Sequence, residues 1–128
     1  MMAKIIIVED DKTIAEIYKQ KIEEGGHTVE VAEDVSAVAT ITAAKPNLVI
    51  LDILMPKVNG LDILREIKAN VETSAIPVLL LTNVAEDASV ARGLEYGAYG
   101  YLLKSETTPD QILPRVARTL EETSPPTP

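Results

Sequence analysis

Four short stretches of this sequence place polar residues directly after apolar runs, and those polar types together suit chemistry on a phosphoryl group. Ile5 to Val8 leads into Glu9-Asp10-Asp11, Leu48 to Leu51 into Asp52, Pro77 to Leu81 into Thr82, and Tyr99 to Leu103 into Lys104. If the first and third runs are neighbouring strands, three or four carboxylates meet in one small region, faced by a hydroxyl and an ammonium. Packed carboxylates repel, and one or more takes up a proton unless a cation is present. Magnesium suits such a site, because it prefers oxygen ligands, keeps some of its waters and leaves room for a phosphate. An ionised carboxylate is then a nucleophile for phosphorus, giving an acyl phosphate. Lys104 and Thr82 supply the charge and the hydrogen bond that hold phosphoryl oxygens.

Each residue taken singly has a plainer role. Asp11 serves equally well as the cap of a following helix. A lone Asp at a strand end is ordinarily a turn residue, Thr82 suits a helix cap, and Lys104 suits a solvated surface. His27, just past Gly25-Gly26, is assigned no function. The joint placement at four strand ends is what carries the chemical reading.

The elements that position these groups alternate along the chain. Five short apolar runs (the four above and Thr28 to Ala32) are separated by stretches of helical period. Ile5 to Val8, Leu48 to Leu51 and Val78 to Leu81 are apolar throughout, as strands covered on both faces are. Thr28-Val-Glu-Val-Ala32 alternates, which fits an edge strand. Helices are expected over Ile14 to Ile22, stopped by Gly25-Gly26, and over Val35 to Ala44, ended by Pro46. A third carries Leu61, Leu64 and Ile67, and a fourth spans Ala85 to Tyr96. The fifth opens at Thr108-Pro109-Asp110-Gln111, where Thr caps, Pro takes the first helical position and Gln closes a capping box. Strict alternation predicts an α/β fold with a parallel sheet, right-handed crossovers and helices on both faces. Ligands of such sheets bind beyond the carboxyl ends of the strands, where the four polar clusters fall.

Composition narrows the function further. The chain has 128 residues, 46% hydrophobic and 25% charged, enough for one domain with a real core. It lacks cysteine, which removes disulfides and thiolate metal sites and is compatible with a cytoplasmic protein. The first apolar run holds four residues before three acids, too short for a signal peptide or a membrane span. A net charge of −8 repels phosphate backbones, and with no Trp or Phe and only four Tyr there is little for bases to stack on. No nucleic acid and no membrane are expected as partners of this chain alone.

The motifs resemble those of response-regulator receiver domains of two-component signalling, of the chemotaxis-regulator kind. The resemblance runs from Lys4 to about Leu120, with residues 1–121 as the domain and 122–128, Pro-rich, as a tail or linker. Leu48-Val-Ile-Leu-Asp52-Ile-Leu-Met55-Pro56-Lys-Val-Asn-Gly60 is similar to the phosphorylation-site signature. Ile5-Ile-Ile-Val-Glu9-Asp10-Asp11 is similar to the acidic pocket, Leu79-Leu-Leu-Thr82 to the switch threonine, and Tyr99-Gly-Tyr101-Leu-Leu-Lys104 to the aromatic switch and lysine. The resemblance implies a flavodoxin-like, doubly wound (βα)5 fold with strand order 2-1-3-4-5. It implies Asp52 as phosphoacceptor, and magnesium held by Asp10, Asp52 and the backbone carbonyl of Leu54, with Glu9 reaching it through water. Glu9-Asp10 is preferred to Asp10-Asp11 because the family's acids follow the apolar run directly. Thr82 and Tyr101 become the switch, Lys104 pairs with the phosphate, and Leu54, Asn83 and Val84 become the residues that tune hydrolysis. The implied partners are a histidine kinase or phosphotransfer protein, and a homodimer or downstream protein on the face of helix 4, strand 5 and helix 5.

Three departures from the family pattern stand out. Ser105 replaces the usual Pro after the lysine, which predicts a trans peptide there, since cis costs a non-proline amide about 2.5–4 kcal/mol. Asn83 replaces a small residue. Pro114 lies inside the last expected helix, where it removes the amide that would bond the Asp110 carbonyl, predicting a late start, a kink or a break.

Two other functions compete. A receiver-like module that binds without phosphate is disfavoured by the intact Asp10, Asp52, Thr82 and Lys104. A phosphohydrolase of the aspartyl-phosphate type needs a second acid two residues after its nucleophile, where this chain has Leu54. A nucleotide-binding role lacks a Gly-rich loop after the first run.

Overall fold

The computed structural model describes residues 2–83 and 88–123. Val84 and the Ser124–Pro128 tail named above lie outside the described residues. Five parallel strands form one sheet in the order β2-β1-β3-β4-β5, the flavodoxin-like arrangement. They are β1 (Lys4–Val8), β2 (Thr28–Ala32), β3 (Leu48–Asp52), β4 (Val78–Thr82) and β5 (Gly100–Leu103). The helices between and after them are α1 (Lys12–Glu23), α2 (Ala37–Ala44), α3 (Gly60–Ala69), α4 (Ala88–Glu95) and α5 (Pro109–Thr123).

The continuous apolar runs belong to strands buried on both faces, and their alternation deals residues to two cores. Ile6, Val8, Val49, Leu51, Val78 and Leu80 point to the side covered by α2, α3 and α4, among Ile41, Leu64, Ile67 and Val90. Ile5, Ile7, Leu48, Ile50, Leu79 and Leu81 point to the other side, under Tyr18 and Ile22 of α1 and Ile112, Val116 and Leu120 of α5. Each fully buried Leu or Ile removes about 1.5–3 kcal/mol worth of apolar surface from water. The central strands are thereby fixed in place and can hold polar groups at their ends. β2 is the edge strand that its alternation predicts, with Val29 and Ala32 inward.

Helix ends follow local chemistry. Asp11 caps α1, its carboxylate accepting from the amides of Thr13 (3.0 Å) and Ile14 (3.2 Å). Asn59 caps α3 by accepting from the amide of Leu61. Thr108 donates its amide to the Gln111 side chain at 2.9 Å, one arm of the expected capping box. Pro46 forces Lys45 out of the helical region, and Lys45 ends α2 in the left-handed conformation (φ 48°).

Four expectations shift. The stretch expected as one helix from Val35 begins as a 3-10 turn over Asp34–Ser36, and α2 proper starts at Ala37. Val35 is 67% exposed and buries nothing that would hold it in a helix. Thr82 is the last residue of β4 rather than the residue beyond it. Pro114 neither breaks nor delays α5, which runs uninterrupted past it. The bond it forfeits belongs to Asp110, an exposed residue of the first turn whose carbonyl has water as an alternative partner. Finally, α5 continues through Thr123, two residues beyond the boundary expected at 121. The peptide after Lys104 is trans.

Candidate functional site

The carboxyl ends of β1 and β3 lie side by side, with Val8 opposite Leu51, so Glu9 and Asp52 emerge together. Carboxylate oxygens of Glu9, Asp10 and Asp52 all fall within 4.8 Å of one another. Glu9 and Asp52 are buried, 4% and 2% exposed, whereas Asp10 opens to solvent. Asp52 is also the last residue of β3, paired with Leu81, which brings Thr82 of β4 to the same end of the sheet. Thr82 is buried, and its carbonyl accepts from the amide of Lys104 at 2.8 Å, tying the end of β5 to the end of β4.

Lys104 crosses the whole pocket. Its Nζ donates to Glu9 Oε1 at 2.7 Å and stands 3.2 Å from Asp52 Oδ2. The second approach is an ion pair by distance only, because Asp52 Oδ2 has no aligned hydrogen bond. Glu9 Oε2 is also buried without a partner. Burial pushes the Glu9 carboxyl up to about 8, and neighbouring Asp52 adds to the rise, while Lys104 opposes it. Burial lowers the Lys104 ammonium, but Glu9 and Asp52 outweigh this and leave it above its ordinary value. Such a site is under-supplied with positive charge. Two orphaned, buried carboxylate oxygens beside an exposed third acid are the donor set that a hard, partly hydrated cation fits.

The segment after Asp52 folds back on the strand. Gly60 donates its amide to the Ile53 carbonyl at 2.8 Å, and Leu54 forms a bridge with Asn59. A Cβ on Gly60 would stand 2.1 Å from the Asp52 carbonyl oxygen, so only glycine lets the loop close this tightly. Leu54 presents an exposed side chain at the rim, as does Asn83, while Val84 is outside the described residues. Tyr101 lies outward on β5, 36% exposed.

Two features of the site were not anticipated from sequence. Lys104 is engaged by Glu9 as well as by Asp52, although β1 and β5 are separated by two strands. Tyr18 of α1, expected only as core, has its phenol pushed up by burial and feels the charges of Lys104 and Glu9.

Comparison with known proteins agrees with this geometry. The model of the response regulator receiver domain matches residues 5–117. Response regulator MprA of Mycobacterium sp. (strain KMS) is 32% identical over 126 residues, covering 98% of this chain and 54% of that protein. DNA-binding response regulator MtrA of Mycobacterium tuberculosis (strain ATCC 25618 / H37Rv) is 32% identical over 117 residues, covering 91% of this chain and 50% of MtrA. The chain thus spans about half the length of these curated relatives. Among solved structures, the receiver domain of a signal transduction histidine kinase from Syntrophus aciditrophicus superposes with a TM-score of 0.85 at 32% identity, covering 98% of this chain and 95% of that one. With the fold, the acidic pocket and these matches in agreement, the chain belongs to the response-regulator receiver domains of two-component systems.

Proposed function

We propose that this domain is a phosphorylatable switch that accepts a phosphoryl group on Asp52 from a histidine kinase, a phosphotransfer protein or a small phosphodonor. The observation that carries the reading is the convergence of Glu9, Asp10 and Asp52 within 4.8 Å, spanned by Lys104. Asp10, Asp52 and the Leu54 carbonyl hold magnesium, with Glu9 reaching it through water. The metal, when bound, neutralises the clustered carboxylates and the phosphoryl oxygens.

An Asp52 carboxylate oxygen attacks phosphorus, the phosphorus–nitrogen bond of the donor phosphohistidine breaks, and its electron pair leaves with the imidazole. The product is an acyl phosphate on Asp52. Lys104 turns from the carboxylates to a phosphoryl oxygen, and the Thr82 hydroxyl donates to another. That motion vacates the space into which Tyr101 turns, changing the face of α4, β5 and α5 that a second copy or a downstream protein meets. The chemistry stops at the domain's own phosphorylation and dephosphorylation, so it is a regulator and not an enzyme acting on other substrates. Residues 1–121 form the receiver unit and 122–128 the start of a tail.

No described helix is long and apolar enough to cross a membrane, and a cytoplasmic location fits the reading. MtrA is named as DNA-binding, but it is twice as long as the matched segment. At −8 this chain alone binds no nucleic acid.

The test is intact-mass measurement after incubation with acetyl phosphate. One added phosphoryl group is expected with magnesium, none after chelation, and none in Asp52→Asn. Labelling that survives in Asp52→Asn, or that needs no divalent metal, refutes the assignment.

A further inference from the structure

A hollow of about 440 Å³ opens between α4, β5 and α5, lined by Leu94, Tyr101, Leu103, Glu106 and Arg115 among others. Its rim is apolar: Leu94 is 44% exposed and Tyr101 36%. The basic residues of the three elements are all arginine (Arg92, Arg115, Arg118), while every lysine lies elsewhere in the chain. Arg118 pairs with Glu122 at 3.5 Å. Arg115 joins none of the ion pairs formed among the described residues. It is half-buried, its guanidinium laid over Gly100, with Nη2 2.8 Å from where a Cβ on Gly100 would stand. A flat, pre-placed guanidinium without a carboxylate, beside an apolar hollow and an aromatic ring, is how interfaces bind an anion with two parallel hydrogen bonds.

We propose that this hollow receives an acidic, apolar segment of a partner protein, an aliphatic side chain seated between Leu94 and Tyr101 and a neighbouring carboxylate on Arg115. Glu106 lines the same hollow, which favours a singly charged carboxylate over a phosphate dianion. The chain's charge of −8 makes the far field repulsive to such a segment, but that field is screened beyond about 8 Å at physiological salt. Selectivity for the acid therefore comes from contact with Arg115. The proposal rests on the reading of the Tyr101 face as the output face, and names the chemistry that the face reads. Inward rotation of Tyr101 enlarges the hollow, so the phosphorylated form binds the segment more tightly.

The test uses a fluorescein-labelled synthetic amphipathic helix of Leu and Glu, and its twin with Gln at each Glu, titrated with the whole chain and followed by anisotropy. The Glu helix is expected to bind on the order of tenfold tighter than its twin. Arg115→Ala should remove that preference, Arg115→Lys should keep part of it, and Arg65→Ala on α3 should leave it intact. Equal binding of the twins overturns the proposal, as does a loss with Arg65→Ala equal to that with Arg115→Ala, which signals diffuse charge alone. Intact mass after acetyl phosphate treatment is read on the same samples. A chain that prefers the Glu helix yet takes no phosphate refutes the switch and leaves the acid-reading groove. A phosphorylated chain without the preference does the reverse.

Discussion

Glu9→Gln should stabilise the metal-free protein at alkaline pH, and the size of the gain follows from where the carboxyl sits. Glu9 is 4% exposed, one of its oxygens has no partner, and its carboxyl is pushed up to about 8 from an ordinary 4.5. Between those values the folded chain holds a proton that the unfolded chain has released. Stability therefore falls as pH rises through this window, by at most about 1.4 kcal/mol per pH unit, and levels off above pH 8. The full window corresponds to an upper bound of about 5 kcal/mol, and attraction to Lys104 in the ionised state reduces it to a few kcal/mol. Gln removes the titration and keeps an acceptor for the Lys104 ammonium. Urea unfolding of both proteins with chelator at about pH 5 and about pH 9 should show near-equal stability at the first and a clear advantage for Glu9→Gln at the second. Taking the difference between the two proteins cancels the other titrating groups. With saturating magnesium the advantage should shrink or reverse, because the ion favours the charged form of Glu9. If Glu9→Gln is no better relative to the parent at pH 9 than at pH 5, the account of the pocket as short of positive charge is wrong.

Gly60→Ala should cost about 3 kcal/mol or more in urea unfolding, because its Cβ would meet backbone at the Asp52 carbonyl (2.1 Å) and at Ile53 Cα (2.9 Å), neither of which can swing aside. Lys68→Met should cost about 1–3 kcal/mol without changing phosphorylation, since its ammonium donates to the carbonyls of Ser74 (2.9 Å) and Ile76 (2.6 Å) at the foot of β4, far from the pocket. The phosphorylated form should hydrolyse slowly: Leu54 at the rim can neither orient nor deprotonate a water, and Val84 is apolar as well. Loss of label from purified phosphoprotein should speed up in the Leu54→Asn, Val84→Glu double variant, and equal rates would defeat the water-exclusion argument.

The features legible in the sequence are those set by local pattern. Ile5 to Val8 and Leu48 to Leu51 are strands because nothing polar interrupts them, and Asp11, Asn59 and Thr108 stand where helices begin. Asp11 had two roles open to it, and the structure makes it a cap. The start of α2 was not legible: hydrophobicity continues through Val35, yet that side chain faces water, and only packing against the sheet distinguishes it from Ala37 and Ile41. Pro114 misled in the other direction, because the cost of a helix-interior proline depends on whether the forfeited carbonyl is dry, and Asp110 is exposed. The site's membership followed from strand ends, but its wiring did not. That Lys104 spans from β5 to Glu9 after β1 depends on strand order and on the reach of a lysine stem, neither of which is visible in the spacing of the two residues.

That wiring explains how one covalent event could reset the face 4–5–5 on the proposed reading. Ionised Glu9, Asp10 and Asp52 carry three negative charges against one positive charge on Lys104, a deficit of two that a divalent cation closes. A phosphoryl group on Asp52 adds negative charge and three acceptor oxygens to a pocket that was balanced without them. The donors able to answer are those already at the strand ends: the Lys104 ammonium, which must leave Glu9, and the buried Thr82 hydroxyl. Because the Lys104 amide is bonded to the Thr82 carbonyl at 2.8 Å, the two donors sit on backbone that is coupled directly. Tyr101 lies only three residues before Lys104, on the same short strand, with Leu80 as its register partner two residues before Thr82. A change of partner by either donor is therefore felt on β5 without passing through the core. The ligand need only favour one of two packings of a single tyrosine, and a preference of about 1.4 kcal/mol shifts that equilibrium tenfold.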